Sequence, residues 1–145
     1  MNELKTGIKH TVTVSVAPAQ TALAMGSGTL EVLATPAVIA LTEKAACELI
    51  QPYLEAGVTS VGTLMSLEHI SASPVGADIR AEAVLTAADG RKYCFDIFAY
   101  DNAGLIAKGK HERFLVKSES FMKKARAKTG ERCLLYTSPS PRDRG

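Results

Sequence analysis

The sequence predicts an α+β domain in which one long, largely buried helix is wrapped by an antiparallel β-sheet. Three observations predict it. A single apolar helical stretch runs from Leu33 to Ile50, extended segments fill the chain after it, and tight-turn residues separate those segments. With 145 residues, 46% of them hydrophobic, the chain is long enough to bury one substantial core and too short for two.

Near the N-terminus Ile8, Val12, Val14 and Val16 recur at alternate positions among polar Lys9, Thr11, Thr13 and Ser15, which makes Gly7 to Val16 a half-buried strand. The segment APAQTALAMGSG breaks that pattern, and Leu30, Val32 and Leu33 beyond the Gly26-Ser27-Gly28 turn read as a second, brief strand. Thr35-Pro36 is a helix-start signal: a threonine oxygen caps free N–H groups, and proline in the first turn forfeits no hydrogen bond. Val38, Ile39, Leu41, Ala45, Ala46, Leu49 and Ile50 cover most of the helix circumference, so it is expected to be buried on more than one side. Its end is set near Gln51-Pro52, or slightly later at Gly57.

Four strands follow, Thr59 to Ala72, Asp78 to Ala87, Arg91 to Tyr100 and Leu105 to Val116. Ser73-Pro74-Val75-Gly76, Asp89-Gly90 and Asp101-Asn102-Ala103-Gly104 supply the turns between them, which implies an antiparallel meander. An early helix followed by a long antiparallel sheet is the order of a hot-dog fold. Ser118 to Lys128 reads as a short amphipathic helix with a cationic outer face, Phe121 and Ala125 touching the sheet. The Ser- and Pro-rich stretch from Cys133 to Gly145 is unrelated to this rhythm and looks like translated vector or linker sequence. One domain over 1–131 is therefore expected, ending near Thr129 to Arg132, with 132–145 a non-native or disordered tail.

Composition excludes several functions. Seventeen Lys and Arg against fifteen Asp and Glu, interleaved as far as Lys117, leave no basic surface for nucleic acid. Cys47, Cys94 and Cys133 lie far apart with no CxxC pair or Cys/His cluster at metal-ligand spacing, so they read as free thiols. MNELKTGIKHTVTV turns polar too early for a signal peptide, and no apolar run reaches the roughly 20 residues that span a bilayer. A cytoplasmic protein with no membrane partner is the expectation.

Three polar residues stand in places that need a reason. A lone carboxylate in a buried helix costs several kcal/mol unless it is paired, hydrated or put to use, and Glu43 is such a residue. Thr35 and His69 have local alternatives, an N-cap and a satisfied sheet histidine. Eight residues of straight helix rise about 12 Å, so Thr35 and Glu43 cannot touch within one regular helix. Either the chain is irregular before about Ala40, or the two reach one site from different directions or subunits.

The stretches EVLATPAVIALTEKA, SVGTLMSLEHISASPVGADI, DGRKYCF and GKHERFLV, in that order and spacing, resemble the fluoroacetyl-CoA thioesterase-like family of hot-dog proteins. The likeness runs from Lys5 to Thr129, and the conjunction of Thr35, Glu43, Gly62, His69 and Arg113 carries it. It implies an acyl-CoA thioesterase in which Thr35, Glu43 and His69 form the catalytic group. Gly62 would contact the acyl end of the substrate through its backbone, and Arg113 would lie near the active site or the CoA. It implies a homodimer with active sites near the subunit interface, and neither metal nor tightly bound cofactor.

The residue types suit that chemistry. A thioester needs an attacking water or carboxylate, a group to move protons and donors for the developing oxyanion. Glu43 serves as nucleophile or general base, His69 shuttles a proton near neutral pH, and Thr35 orients a partner. Backbone N–H groups at Gly62 or the helix start meet the oxyanion. Because AMGSGTLEV ahead of the helix is small and polar and shows no aromatic lid over a tiny acyl group, a small or medium acyl-CoA is expected at least as much as fluoroacetyl-CoA itself. The alternative is a non-catalytic hot-dog module that binds acyl-CoA or a related ligand. A hydratase is weaker still, for want of an Asp/His motif on the helix. Taken locally, Arg113 reads as a strand-end charge paired with Glu112 or another carboxylate, His10 as surface, and His111 as packed on the sheet.

Overall fold

The computed structural model describes residues 4–129. The expected domain end and tail at 132–145, and Cys133 with them, lie outside the described residues. The chain order is β1 (Lys9–Ser15), a 3-10 turn (Pro18–Gln20), α1 (Ala22–Met25), α2 (Thr35–Ile50), a second 3-10 turn (Gln51–Tyr53), β2 (Val58–His69), β3 (Asp78–Asp89), β4 (Lys92–Asp101), β5 (Gly104–Lys117) and α3 (Ser118–Arg126). The five strands form one antiparallel sheet in the order β1-β3-β4-β5-β2, and α2 lies against it.

Burial is what seats the helix. Val38 and Leu41 pack with Ile79, Ala81, Ala99 and Ile106 in one cluster, and Ala45, Ala46, Leu49 and Ile50 with Ala83, Leu85, Phe95 and Ile97 in the next. Alanines on both facing surfaces let the helix approach the sheet closely, while each buried Leu, Ile or Phe contributes about 1.5–3 kcal/mol. Pro36, Ala40, Lys44 and Glu48 stay exposed, with Ile39, Glu43 and Cys47 half-buried beside them, so one stripe of α2 is uncovered within the protomer.

Several expectations change in detail. The brief strand at Leu30 to Leu33 is absent; Val32 and Leu33 make only isolated bridges to Pro74 and Thr21, and the preceding stretch coils into the short α1. The meander holds for β3-β4-β5, but β2 pairs with β5 rather than β3. The connection 70–77, with Gly76 at φ 90°, carries the chain across the sheet instead of closing a hairpin. Phe121 and Met122 of α3 are exposed and none of the helix is buried, so Phe121 and Ala125 do not dock on the sheet. Cys47 and Cys94 are free thiols. Among the described residues no helix is long and apolar enough to cross a membrane, and no group of His, Cys, Asp or Glu could hold a metal ion.

Strand β2 has two unusual features. It is a twelve-residue edge strand, long for an edge left unpaired. It also carries a bulge, because Gly62 pairs with Arg113 and Leu64 with Glu112, leaving Thr63 extra. The added residue switches the alternation, so Ser60 and Gly62 before it and Met65, Leu67 and His69 after it all sit on the helix side.

Candidate active site

Thr35 is the first residue of α2, not its cap. Ala34 occupies the cap position with no side-chain bond, and its carbonyl accepts from the N–H groups of Ala37 and Val38. The Thr35 hydroxyl turns instead to the end of β2, where Oγ1 lies 2.8 Å from His69 Nδ1. Pro36 in the first turn has no N–H to satisfy and fixes the backbone on which Thr35 is presented. The other ring nitrogen, His69 Nε2, is buried without a hydrogen-bond partner. Burial pushes the imidazole below its ordinary value of 6.5, with the nearby Ser71 backbone pulling the other way. The ring is therefore neutral near pH 7; in the tautomer whose Nδ1–H donates to Thr35, the Nε2 lone pair is free to take a proton.

The pair opens on a cleft of about 300 Å³ whose walls include Ala22, Ser27, Val32, Thr35, His69 and Ser71. Exposed Ile70 lines it as well. The segment 21–34 contains no aromatic residue. The N-terminus of α2 points its positive end at the same cleft, which favours a developing negative charge there.

Glu43 is elsewhere. It lies two turns further along the same regular helix, about 12 Å of rise from Thr35. The irregular start that would have brought the two together does not exist. Its carboxylate reaches over Gly62: a β-carbon built on that glycine would stand 2.7 Å from Glu43 Oε2, 3.2 Å from His111 Cε1 and 3.5 Å from Arg113 Nη1. Gly62 has no positive φ, so its missing side chain serves space rather than backbone freedom. Among the described residues Glu43 makes neither an ion pair nor a side-chain hydrogen bond.

Arg113 is 7% exposed, a buried cation rather than a strand-end charge. Its Nε donates to Ser60 Oγ at 2.7 Å, Nη2 to the Ser60 carbonyl at 3.1 Å and Nη1 to His111 Nε2 at 3.1 Å. Glu112, its sequence neighbour, faces the opposite side of the sheet and pairs with Lys92 at 3.5 Å. His111, read from sequence as packing, is 1% exposed, stacks on Phe95 and contacts the Leu64 carbonyl through Nδ1 at 2.8 Å. Inward polar residues at alternate positions, Ser60 with Gly62 and His111 with Arg113, were the signal for this second cluster. His10 is a surface residue as expected, 2.9 Å from Glu48.

The chain thus places two polar clusters on the helix side of the sheet, Thr35 with His69 at one end of β2 and Glu43 over Gly62 nearer the other. The comparisons with known proteins bear on what they do. The family described as fluoroacetyl-CoA-specific thioesterase (FlK) matches residues 16–119. A fluoroacetyl-CoA thioesterase of Streptantibioticus cattleyicolor is 36% identical over 99 residues, 68% of this chain and 71% of that protein. A solved structure of the fluoroacetyl-CoA thioesterase FlK superposes with a TM-score of 0.85 at 30% identity, covering 88% of this chain and 99% of that one. A hot-dog-like protein from Thermanaerovibrio acidaminovorans has a TM-score of 0.79 at 21% identity, over 88% and 94% of the two chains, and shares the fold.

Proposed function

The chain belongs to the fluoroacetyl-CoA-specific thioesterase family, and from that premise we propose that it hydrolyses a small or medium acyl-CoA with Thr35, His69 and Glu43 as its catalytic group. It is a thioester hydrolase: acyl-CoA and water give the carboxylic acid and free CoA. The observation that carries the site assignment is the 2.8 Å Thr35–His69 contact with the far ring nitrogen buried and unpartnered at a cleft. A buried imidazole nitrogen without a partner is costly for stability and useful for moving a proton.

The working unit is a homodimer, because the catalytic group is split within one protomer. Two β2 edges running antiparallel about a two-fold at Ser66 keep inward-facing Met65 opposite the partner's Leu67. The same register brings the Gly62–Thr63 bulge opposite the partner's His69. Glu43 of one protomer then meets Thr35 and His69 of its partner, and the unpaired edge and uncovered helix stripe are both accounted for.

In that site the Glu43 carboxylate draws the proton from a water that attacks the thioester carbonyl. N–H groups at the start of α2 and at Gly62 hold the oxyanion. His69, oriented by Thr35, relays the proton to the departing CoA thiolate, an intrinsically good leaving group. The cleft, walled by Ala22, Val32, Leu33 and Ile70 with no aromatic residue among its lining, suits a small or medium acyl group. A cytoplasmic location fits such a substrate.

The test is thiol release from a panel of acyl-CoAs, acetyl to decanoyl, by the protein and by Glu43→Gln and His69→Ala. Each substitution should lower kcat by about 10²- to 10⁴-fold with the dimer intact. Near-normal turnover in both would sink the assignment, and CoA binding without turnover by the unsubstituted protein would favour the binding-module reading.

A further inference from the structure

The Glu43 half-site contains a buried cation that the reaction does not need. Arg113 is the cation beside the slot over Gly62, on the same side of the sheet as Glu43, and the same point above Gly62 lies in contact range of both. An arginine and a carboxylate so placed ordinarily close into a two-pronged ion pair. Here they do not: every nitrogen of the guanidinium is engaged elsewhere, on Ser60 Oγ, the Ser60 carbonyl and His111 Nε2.

The imidazole is the part of that restraint that faces Glu43. A carbonyl oxygen only accepts, so the contact with Leu64 fixes the proton of His111 on Nδ1. A guanidinium only donates, so Nε2 must be the unprotonated acceptor for Nη1. Geometry alone thus holds His111 neutral, in one tautomer, with its Cε1 edge on the slot that the Glu43 carboxylate occupies. The ring is fixed further by Phe95 of β4, stacked with centroids 5.8 Å apart. The charged groups that act on it are Arg113 and Glu112 of β5 and Glu43 of α2; burial and Arg113 favour the neutral form, the Leu64 carbonyl and the two carboxylates oppose it.

We propose that His111 is a positioning residue: it tethers the Arg113 guanidinium away from Glu43, so that the carboxylate stays unpaired and free to act on water. The proposal rests on Glu43 being the catalytic carboxylate. Without the imidazole acceptor, Nη1 loses its partner and the nearest replacement is Glu43. The resulting pair would hold the carboxylate on the cation and make it a poorer base. Arg113 then belongs to the framework of the site, and its guanidinium is spent on the protein rather than on CoA.

The experiment compares steady-state hydrolysis by Glu43→Gln, His111→Phe, His111→Gln and the double variant His111→Phe with Arg113→Met. His111→Phe should lower kcat about tenfold or more with KM within about threefold, because the damage is to the base and not to binding. Glutamine presents both an acceptor and a donor and should restore most of that loss. Removing the released cation should also restore it, since the double variant leaves nothing to capture Glu43. A purely structural histidine would give no recovery on losing a second buried residue. If Glu43→Gln is inactive while His111→Phe turns over normally, or if the double variant is no better than His111→Phe, the proposal is overturned alone. A fully active Glu43→Gln removes the catalytic reading and this one together. His111→Met, flexible enough to fill the same space, is the second variant with the same expectation; failure of both to fold would mark His111 as a folding residue and overturn the proposal.

Discussion

Gly62→Ala separates function from stability at the Glu43 half-site. The added methyl would stand 2.7 Å from Glu43 Oε2, where ordinary contact begins near 3.4 Å, so the carboxylate must retreat by about 0.7 Å. That atom is the end of a flexible side chain, and the backbone at Gly62 needs no positive φ. The methyl would also press on His111 Cε1 at 3.2 Å, a ring held by Leu64, Arg113 and Phe95, so the gain in backbone entropy is offset and stability should fall by about 1–2 kcal/mol. Catalysis should suffer more, because a misplacement on the order of 1 Å at a reacting group costs about 10²-fold. Thiol release and thermal unfolding, measured on the same preparation, provide the assay. A kcat near that of the unsubstituted protein would refute the claim that this carboxylate acts from above Gly62.

Gly109→Ala should behave in the opposite way. Its methyl would collide with the Ser66 carbonyl and stand 2.8 Å from Leu67 Cα, both backbone of β2, so the β2–β5 pairing must shift and stability should fall by more than about 2 kcal/mol; denaturant unfolding reads it. Stability should also depend on pH in a known direction. His69 and His111 are both held below 6.5 when folded, chiefly by burial, so the unfolded chain binds more protons as pH drops. The melting temperature should be level above about pH 7 and decline as pH falls below about 6.5, and a decline confined to pH values below about 5 would contradict the buried, neutral state of the two rings.

Much of the fold was legible because its elements rest on local pattern. Period-two alternation gave the strands to within a few residues, and the continuous apolar run gave α2. Asp89-Gly90 and Asp101 to Gly104 gave the β3–β4 and β4–β5 turns, with Gly90 and Gly104 at φ 63° and 140°. Pairing was not legible in the same way. Alternation shows which face a residue takes but not which strand lies beside it, so the placement of β2 on β5 had to come from the structure.

The site shows the same division. Thr35 reads locally as a cap because Thr-Pro is a common helix start, yet its hydroxyl is taken by a histidine 34 residues away. Arg113 beside Glu112 reads as an ion pair, although neighbours on a strand face opposite sides; that error was avoidable from geometry alone. The separation of Glu43 from Thr35 was legible from helix rise, and the second subunit proposed to bridge it was among the alternatives the sequence left open.

The central claim is that one active site is built from two protomers, and subunit mixing tests it most directly. Glu43→Gln and His69→Ala, each inactive alone, are co-expressed so that subunits pair at random. Half of the dimers are then mixed, and each contains one site with both groups intact. The account predicts recovery of about a quarter of the unsubstituted activity. Mixed dimers as inactive as their parents would contradict it, placing Glu43 and His69 in the service of the same protomer.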